Sequence, residues 1–173
     1  MSPKKKKNIY CFDSSSLIVL GMVHTQVMEI PKALWSRLDS SFTAGEIISH
    51  RLVFDEISSN AKNPDFIARW IADKKSYFLG KTPMQVELVV DIIKAFPKLI
   101  DYQSEHEQAD PWLIALAMEK SKENTLFYIN LLSVVTQESP RSSQKIPAAC
   151  KHFGIQCKSL KDFFKNNNMD IKF

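Results

Sequence analysis

The sequence predicts an α/β fold, a three-layer α/β/α sandwich around a central, mostly parallel sheet. Three observations lead there. Short apolar runs rich in β-branched residues alternate along the chain with segments of helical periodicity, the mark of strand–helix–strand units. Cap and turn residues punctuate those segments at their ends. The 173 residues suit one domain with a substantial core.

The elements follow in order. Residues 8–12 (NIYCF) are a short apolar strand ending at Asp13, and Ser14, Ser15 and Ser16 are candidate N-caps for a helix to about Gly21. Pro31 opens a second helical pattern, with Leu34, Trp35 and Leu38 on one face and Gly45 at its end. Residues 47–49 read as a short strand leading to a helix with Phe54, Glu56 and Ile57. From Pro64 to Pro97 the pattern is helical, first with Phe66, Ile67, Trp70 and Ile71, then from Pro83 with Val86, Val89, Val90, Ile93 and Phe96. A polar connector at 105–108 precedes a helix from Asp110 to about Lys122. Residues 131–136 read as a buried strand. Residues 140–145 are a loop, 147–153 a short helix capped by Gly154, 155–157 a short strand and 160–164 a last helix. The domain is expected over 8–165, between a disordered basic tail at 1–7 and a frayed tail at 166–173.

Charge is unevenly placed. The four lysines at 4–7 equal the whole net charge of +4, residues 139–173 carry a local +5, and the body from 8 to 138 is therefore at −5. Such a chain suits a metal at its centre and phosphate at its margins, while solvated ends are the plainer account of the first lysines. The longest apolar runs, VELVV and LIALAM, are far short of the roughly 20 residues of a membrane span. The basic start meets Asp13 before the apolar region of a signal peptide can develop. No membrane association and a cytoplasmic location are expected. Cys11, Cys150 and Cys157 form no CxxC pair, and buried free thiols explain them better than zinc. With four glycines and no GxGxxG or P-loop pattern, nothing predicts a loop that cradles phosphate.

Four acidic residues at element edges are the candidates for chemistry: Asp13, Glu56, Asp110 and Glu138. Ligands of parallel sheets bind beyond the carboxyl ends of the strands, where Asp13 and Glu138 fall. Four carboxylates brought together repel one another, and a divalent cation is the usual compensation. Hard oxygen donors favour Mg²⁺ or Mn²⁺, which points to metal-assisted phosphodiester cleavage. Each residue also has a plain reading. Asp13 fits a helix N-cap, Asp110 fits one with Pro111 at the first helical position, Glu56 could face solvent with Asp55 as the ligand, and Glu138 could be a surface loop residue. Glu105 and Glu107 are expected to face solvent, and no histidine lies in a recognisable base motif.

These segments resemble the PIN-domain family, the fold of VapC-like toxin ribonucleases. The resemblance rests on Asp13-Ser14-Ser15 after the first strand, on Asp55-Glu56-Ile57, on Asp110-Pro111-Trp112-Leu113-Ile114 running to Ala117, and on Thr136-Gln137-Glu138. It spans about residues 9–164. The fourth acidic position is usually Asp in that family, and Glu138 departs from it. The resemblance implies hydrolysis of RNA by activated water with Mg²⁺ or Mn²⁺. Asp13 and Asp110 would be direct ligands, Glu56 a direct or water-bridged one, and Glu138 would complete the outer shell or bind a second ion. It further implies a small antitoxin partner and a homodimer. Ser14 and Thr136 are expected to orient the carboxylates, and Arg141 and Lys145 to hold phosphate. A non-catalytic module binding RNA or protein, and a nuclease acting on DNA or a structured junction, are the alternatives.

Overall fold

The structure, a computed structural model, describes residues 4–26, 32–59, 65–123 and 128–169. Among them, five strands form one sheet: β1 (Lys5–Phe12), β2 (Ile47–His50), β3 (Phe78–Leu79), β4 (Tyr128–Val135) and β5 (Gln156–Lys158), in the order β3-β2-β1-β4-β5. Every strand pair is parallel. The helices are α1 (Ser14–Gln26), α2 (Lys32–Thr43), α3 (Arg51–Ser59), α4 (Asp65–Ala72), α5 (Pro83–Ala95), α6 (Asp110–Lys122), α7 (Ile146–His152) and α8 (Leu160–Asn166). Pro31 and Pro64 lie outside the described residues.

Side chains alternate across the sheet, and both faces are covered. Tyr10 and Phe12 meet Phe163 of α8 edge-on, with ring centroids 4.8 and 5.0 Å apart. Cys11 between them points the other way, and its in-register neighbours across the sheet are Val134 and Cys157. The buried helix α6 packs on β4, β1 and β2, with α5 and α7 beside it. Leu113, Ile114, Ala115, Leu116 and Ala117 of α6 are all fully buried, as befits a helix enclosed on all sides. Each such Leu or Ile stabilises the fold by about 1.5–3 kcal/mol. Cys11 and Cys150 are buried free thiols, and Cys157 is partly buried. Gly154, with φ +72°, follows α7 and ends it in the left-handed conformation expected of it.

Four expectations are corrected. Residues 5–7 are not a disordered tail: they are the first part of β1, with Lys5, Lys6 and Lys7 in register with Tyr128, Ile129 and Asn130 of β4. The apolar run at 9–12 nucleates the strand, and the backbone ladder with β4 carries it outward while the lysine stems stay exposed or half-exposed. The stretch from 64 to 97 is not wholly helical, because β3 adds to the sheet edge through Ser49↔Phe78 and His50↔Leu79. Asp110 is not an N-cap: Ala109 takes that position and Asp110 is the first helical residue. Residues 166–169 are not frayed. Arg37 of α2 donates to the carbonyls of Asn167 and Asn168 at 2.7 and 2.9 Å, and Met169 is buried. Residues 170–173 lie outside the described residues. Among the described residues, no helix is long and apolar enough to cross a membrane.

Candidate active site

The chain runs from β1 to β2 to β3 on one side, then crosses to β4 on the other side of β1. The sheet therefore has its topological switch point between β1 and β4, where a crevice opens beyond the strand ends. Asp13 lies there, one residue past β1, and its N–H donates to the Val135 carbonyl at the end of β4, 2.9 Å away.

Hydroxyl groups hold the buried Asp13 carboxylate. Ser15 Oγ donates to Oδ2 at 2.5 Å and Thr136 Oγ1 to the same oxygen at 2.9 Å. Ser14 Oγ lies 3.4 Å from Oδ1 and also hydrogen-bonds Glu56. Thr136 and, more loosely, Ser14 thus hydrogen-bond this carboxylate. Ser15 is the residue that sequence reasoning missed. Besides Asp13 it meets Thr136 Oγ1 at 3.2 Å and accepts the Gln137 N–H at 3.0 Å. The third serine of the run, Ser16, donates to the Val135 carbonyl at 2.9 Å. The signal was the run itself: α1 starts at the strand end, so each serine faces a different part of the β1–β4 junction.

The other carboxylates arrive from separate elements. Glu56, half-buried on α3, accepts the Ala109 N–H at 3.0 Å and thereby ties α3 to the start of α6. Its neighbour Asp55 is exposed, which favours Glu56 of the pair. Burial raises the Glu56 and Asp13 carboxyls above the usual carboxylate range despite these hydrogen bonds. Asp110 is pushed up to about 8, first by burial and then by the charges of Asp13, Glu138 and Glu56, against a partial lowering by Lys145. The other three acids thus all act on Asp110.

Glu138 is engaged on both oxygens. Oε1 pairs with Lys145 Nζ at 2.7 Å, and Oε2 accepts the Ile146 N–H at 2.8 Å. It is a mostly buried side chain, not a surface loop residue. Arg141 is exposed and lines an open groove of about 800 Å³ together with Glu138, Lys151, Lys158 and Ser159. Glu105 and Glu107 are exposed, and Glu107 pairs with Lys81. Among the described residues, no three His, Cys, Asp or Glu side chains stand as close as the ligands of a bound metal ion. The four acids share one electrostatic environment while two of them spend oxygens on backbone N–H groups.

Residues 10–171 match a family described as a domain of unknown function, DUF4411. The chain belongs to that family. The DUF4411 match encloses Asp13, Glu56, Asp110 and Glu138 and the whole sheet from Tyr10 onward. No curated protein matches. Among solved structures, the crystal structure of FitAcB from Neisseria gonorrhoeae superposes with a TM-score of 0.48 at 13% identity, over 88% of this chain and 99% of that one. That likeness is too distant to bear on function.

Proposed function

We propose that the chain is a metal-dependent endoribonuclease of PIN-like kind. The observation that carries the reading is the Asp110 carboxyl at the switch-point crevice, pushed up to about 8 first by burial and then by the charges of Asp13, Glu138 and Glu56. A buried carboxyl that keeps its proton at neutral pH beside other acids is one whose ionised form a cation can stabilise.

Every candidate ligand is a carboxylate oxygen, the donor type that Mg²⁺ and Mn²⁺ prefer. Asp13, Glu56 and Asp110 would hold the ion, and Glu138 would act from outside this set. When bound, the ion supplies Lewis acidity, which makes water a better nucleophile and offsets charge on the phosphoryl oxygens. The chain's own groups do the rest. Ser15 and Thr136 fix the Asp13 carboxylate through Oδ2, and Ala109 N–H fixes Glu56 through Oε1, so both present a preset orientation. A cation at this site would favour the ionised form of Asp110, whose proton would pass to solvent. Lys145 and, farther out, Arg141 offer cationic contacts to the phosphates that flank the scissile bond. A role as the toxin of a toxin–antitoxin pair, with a small antitoxin partner, a homodimer and a cytoplasmic location, extends the same reading and rests on the PIN-like resemblance.

The test is cleavage of a mixed RNA pool by the purified chain with Mn²⁺, Mg²⁺ or EDTA, beside Asp13→Asn and Asp110→Asn. Cleavage is expected to need the ion. It should fall in both variants by more than the roughly 10–100-fold that changes in outer-shell partners cost. Cleavage of DNA but not RNA would favour the DNA nuclease. RNA binding without cleavage under any condition would favour the non-catalytic module.

A further inference from the structure

The sheet register sets two cysteines against each other. Cys157 of β5 is in register with Val134 of β4, and Val134 with Cys11 of β1. All three side chains therefore point to the face that α6 and α7 cover. Cys150 of α7 is fully buried in that layer. The chain turns back at Gly154, with φ +72°, and the Ile155 N–H donates to the Cys150 carbonyl at 2.8 Å. The end of α7 is thereby held beside β5, and the Cys150 and Cys157 thiols hydrogen-bond each other. Cys11 is two strands from Cys157, roughly 9–10 Å at ordinary strand spacing and beyond the reach of a disulfide. The paired thiols differ in access. Cys150 has no exposed surface, whereas Cys157 is only partly buried and lines the open groove shared by Arg141 and Glu138. The contact with Cys150 lowers the Cys157 pKa, against burial and the charges of Asp13 and Glu138. The same contact, and then burial, raises Cys150. The thiolate, which is the nucleophilic form, thus belongs to the cysteine that faces the groove.

We propose that Cys157 is an oxidation site for hydroperoxides and Cys150 its resolving thiol, the two closing into a reversible disulfide between α7 and β5. In the first step the Cys157 thiolate attacks the terminal peroxide oxygen. The S–O bond forms and the O–O bond breaks; the alkoxide leaves and takes a proton from water. Sulfur is oxidised to the sulfenic acid and the hydroperoxide is reduced to the alcohol. In the second step the Cys150 sulfur, its proton passing to solvent, attacks the Cys157 sulfur. The S–S bond forms, the S–O bond breaks, and hydroxide leaves and is protonated to water. Two thiols and one hydroperoxide thus give one disulfide, one alcohol and one water. A buried partner already in contact captures the sulfenic acid before a second peroxide can. Neither step draws on a metal, so the inference is independent of the metal-dependent reading above. The bond would also stiffen β5 beside the candidate site, because the Lys158 carbonyl accepts the Thr136 N–H at 3.0 Å and Thr136 Oγ1 donates to Asp13.

The full reduced chain, held in EDTA and treated with hydrogen peroxide, tests this by thiol titration and peptide mass mapping. Wild type is expected to lose both thiols of the pair to an intramolecular Cys150–Cys157 disulfide, to keep the Cys11 thiol, and to recover both with dithiothreitol. Cys11→Ala should form the same disulfide. Cys157→Ser should form none and leave Cys150 unoxidised. In Cys150→Ala, dimedone should label Cys157, which identifies the attacking sulfur. Thermal unfolding verifies the fold of each variant, and the wild-type map stands whether or not Cys150→Ala folds. Closure should be faster in the folded chain than in urea, where only nearness in sequence joins the two residues. Both thiols still free after peroxide, a sulfinic acid at Cys157 beside a free Cys150, a disulfide that includes Cys11, or equal closure in urea would each overturn the inference.

Discussion

Asp110 shows how a single side chain can oppose the fold that positions it. Its carboxyl titrates near 8 in the folded chain and near 3.8 when exposed. A folded pKa above the unfolded one means stability is full below about 3.8 and is lost as pH rises toward 8. In the ion-free protein at pH 8, Asp110→Asn should therefore stabilise by on the order of a few kcal/mol, given about 1.4 kcal/mol per pKa unit. At pH 4 the gain should vanish. Urea denaturation in EDTA at the two pH values reads the difference, and no gain at pH 8 would mean that burial and the neighbouring charges do not hold the Asp110 carboxyl up. Residue types in the sequence pointed to this site because Asp13, Glu56, Asp110 and Glu138 each stand at an element edge. Their states were not legible. Burial, the engagement of Glu56 by the Ala109 N–H and of Glu138 by Lys145, and the role of Ser15 all arise from contacts between segments 50–120 residues apart or across a loop.

At the scale of elements, the apolar runs at 9–12 and 131–135 identify the central strands, and the start of α6 is marked by Asp110 with Pro111. Periodicity failed where pairing, not composition, decides the conformation. The lysines opening β1 have no apolar pattern, and they are extended because β4 offers a ladder partner for each. β3 has two residues, too few for alternation to register. The C-terminal segment looked free because its sequence has no apolar pattern; Asn167 caps α8 by donating to the Phe163 carbonyl, and Arg37, most of the chain away, holds the carbonyls of Asn167 and Asn168. Arg37→Ala removes two charge-assisted hydrogen bonds to backbone carbonyls on a partly exposed surface. It should lower stability by about 1–2 kcal/mol and expose residues near 167–169 to limited proteolysis. Unchanged proteolysis and an unchanged unfolding midpoint would mean that Met169 and Phe163 hold the segment without it.

At the scale of the whole molecule, two buried titratable groups at the C-terminal end of the sheet set opposite pH demands. His50, fully buried at the end of β2, accepts the Leu52 N–H on Nδ1 at 3.2 Å and stacks on Trp112. Its proton therefore sits on Nε2, which faces Gln85 without completing a hydrogen bond. Burial first, and then the charge of Lys81, lower its pKa from 6.5 to about 4. A lowered histidine pKa means the unfolded chain binds the proton first, so this contribution is intact above 6.5 and is lost as pH falls toward 4. Asp110, joined in direction by Asp13 and Glu56, works the other way. From pH 4 to 6.5 the histidine partly offsets the carboxyls. From 6.5 to 8 nothing in this set opposes them, so the ion-free chain should lose stability across that window. On the metal-dependent reading proposed above, saturating Mn²⁺ should remove the loss, because ligand binding to the folded state alone adds stability by mass action. Unfolding free energies at pH 5.5, 6.5 and 8, with EDTA and with Mn²⁺, separate the terms. His50→Gln should remove the offset and steepen the loss between pH 4 and 6.5, and Asp110→Asn should reduce the loss across the whole span from 4 to 8. A profile unmoved by Mn²⁺ at pH 8 would dissociate the carboxylate cluster from any ion, and with it the chemistry proposed for this sheet edge.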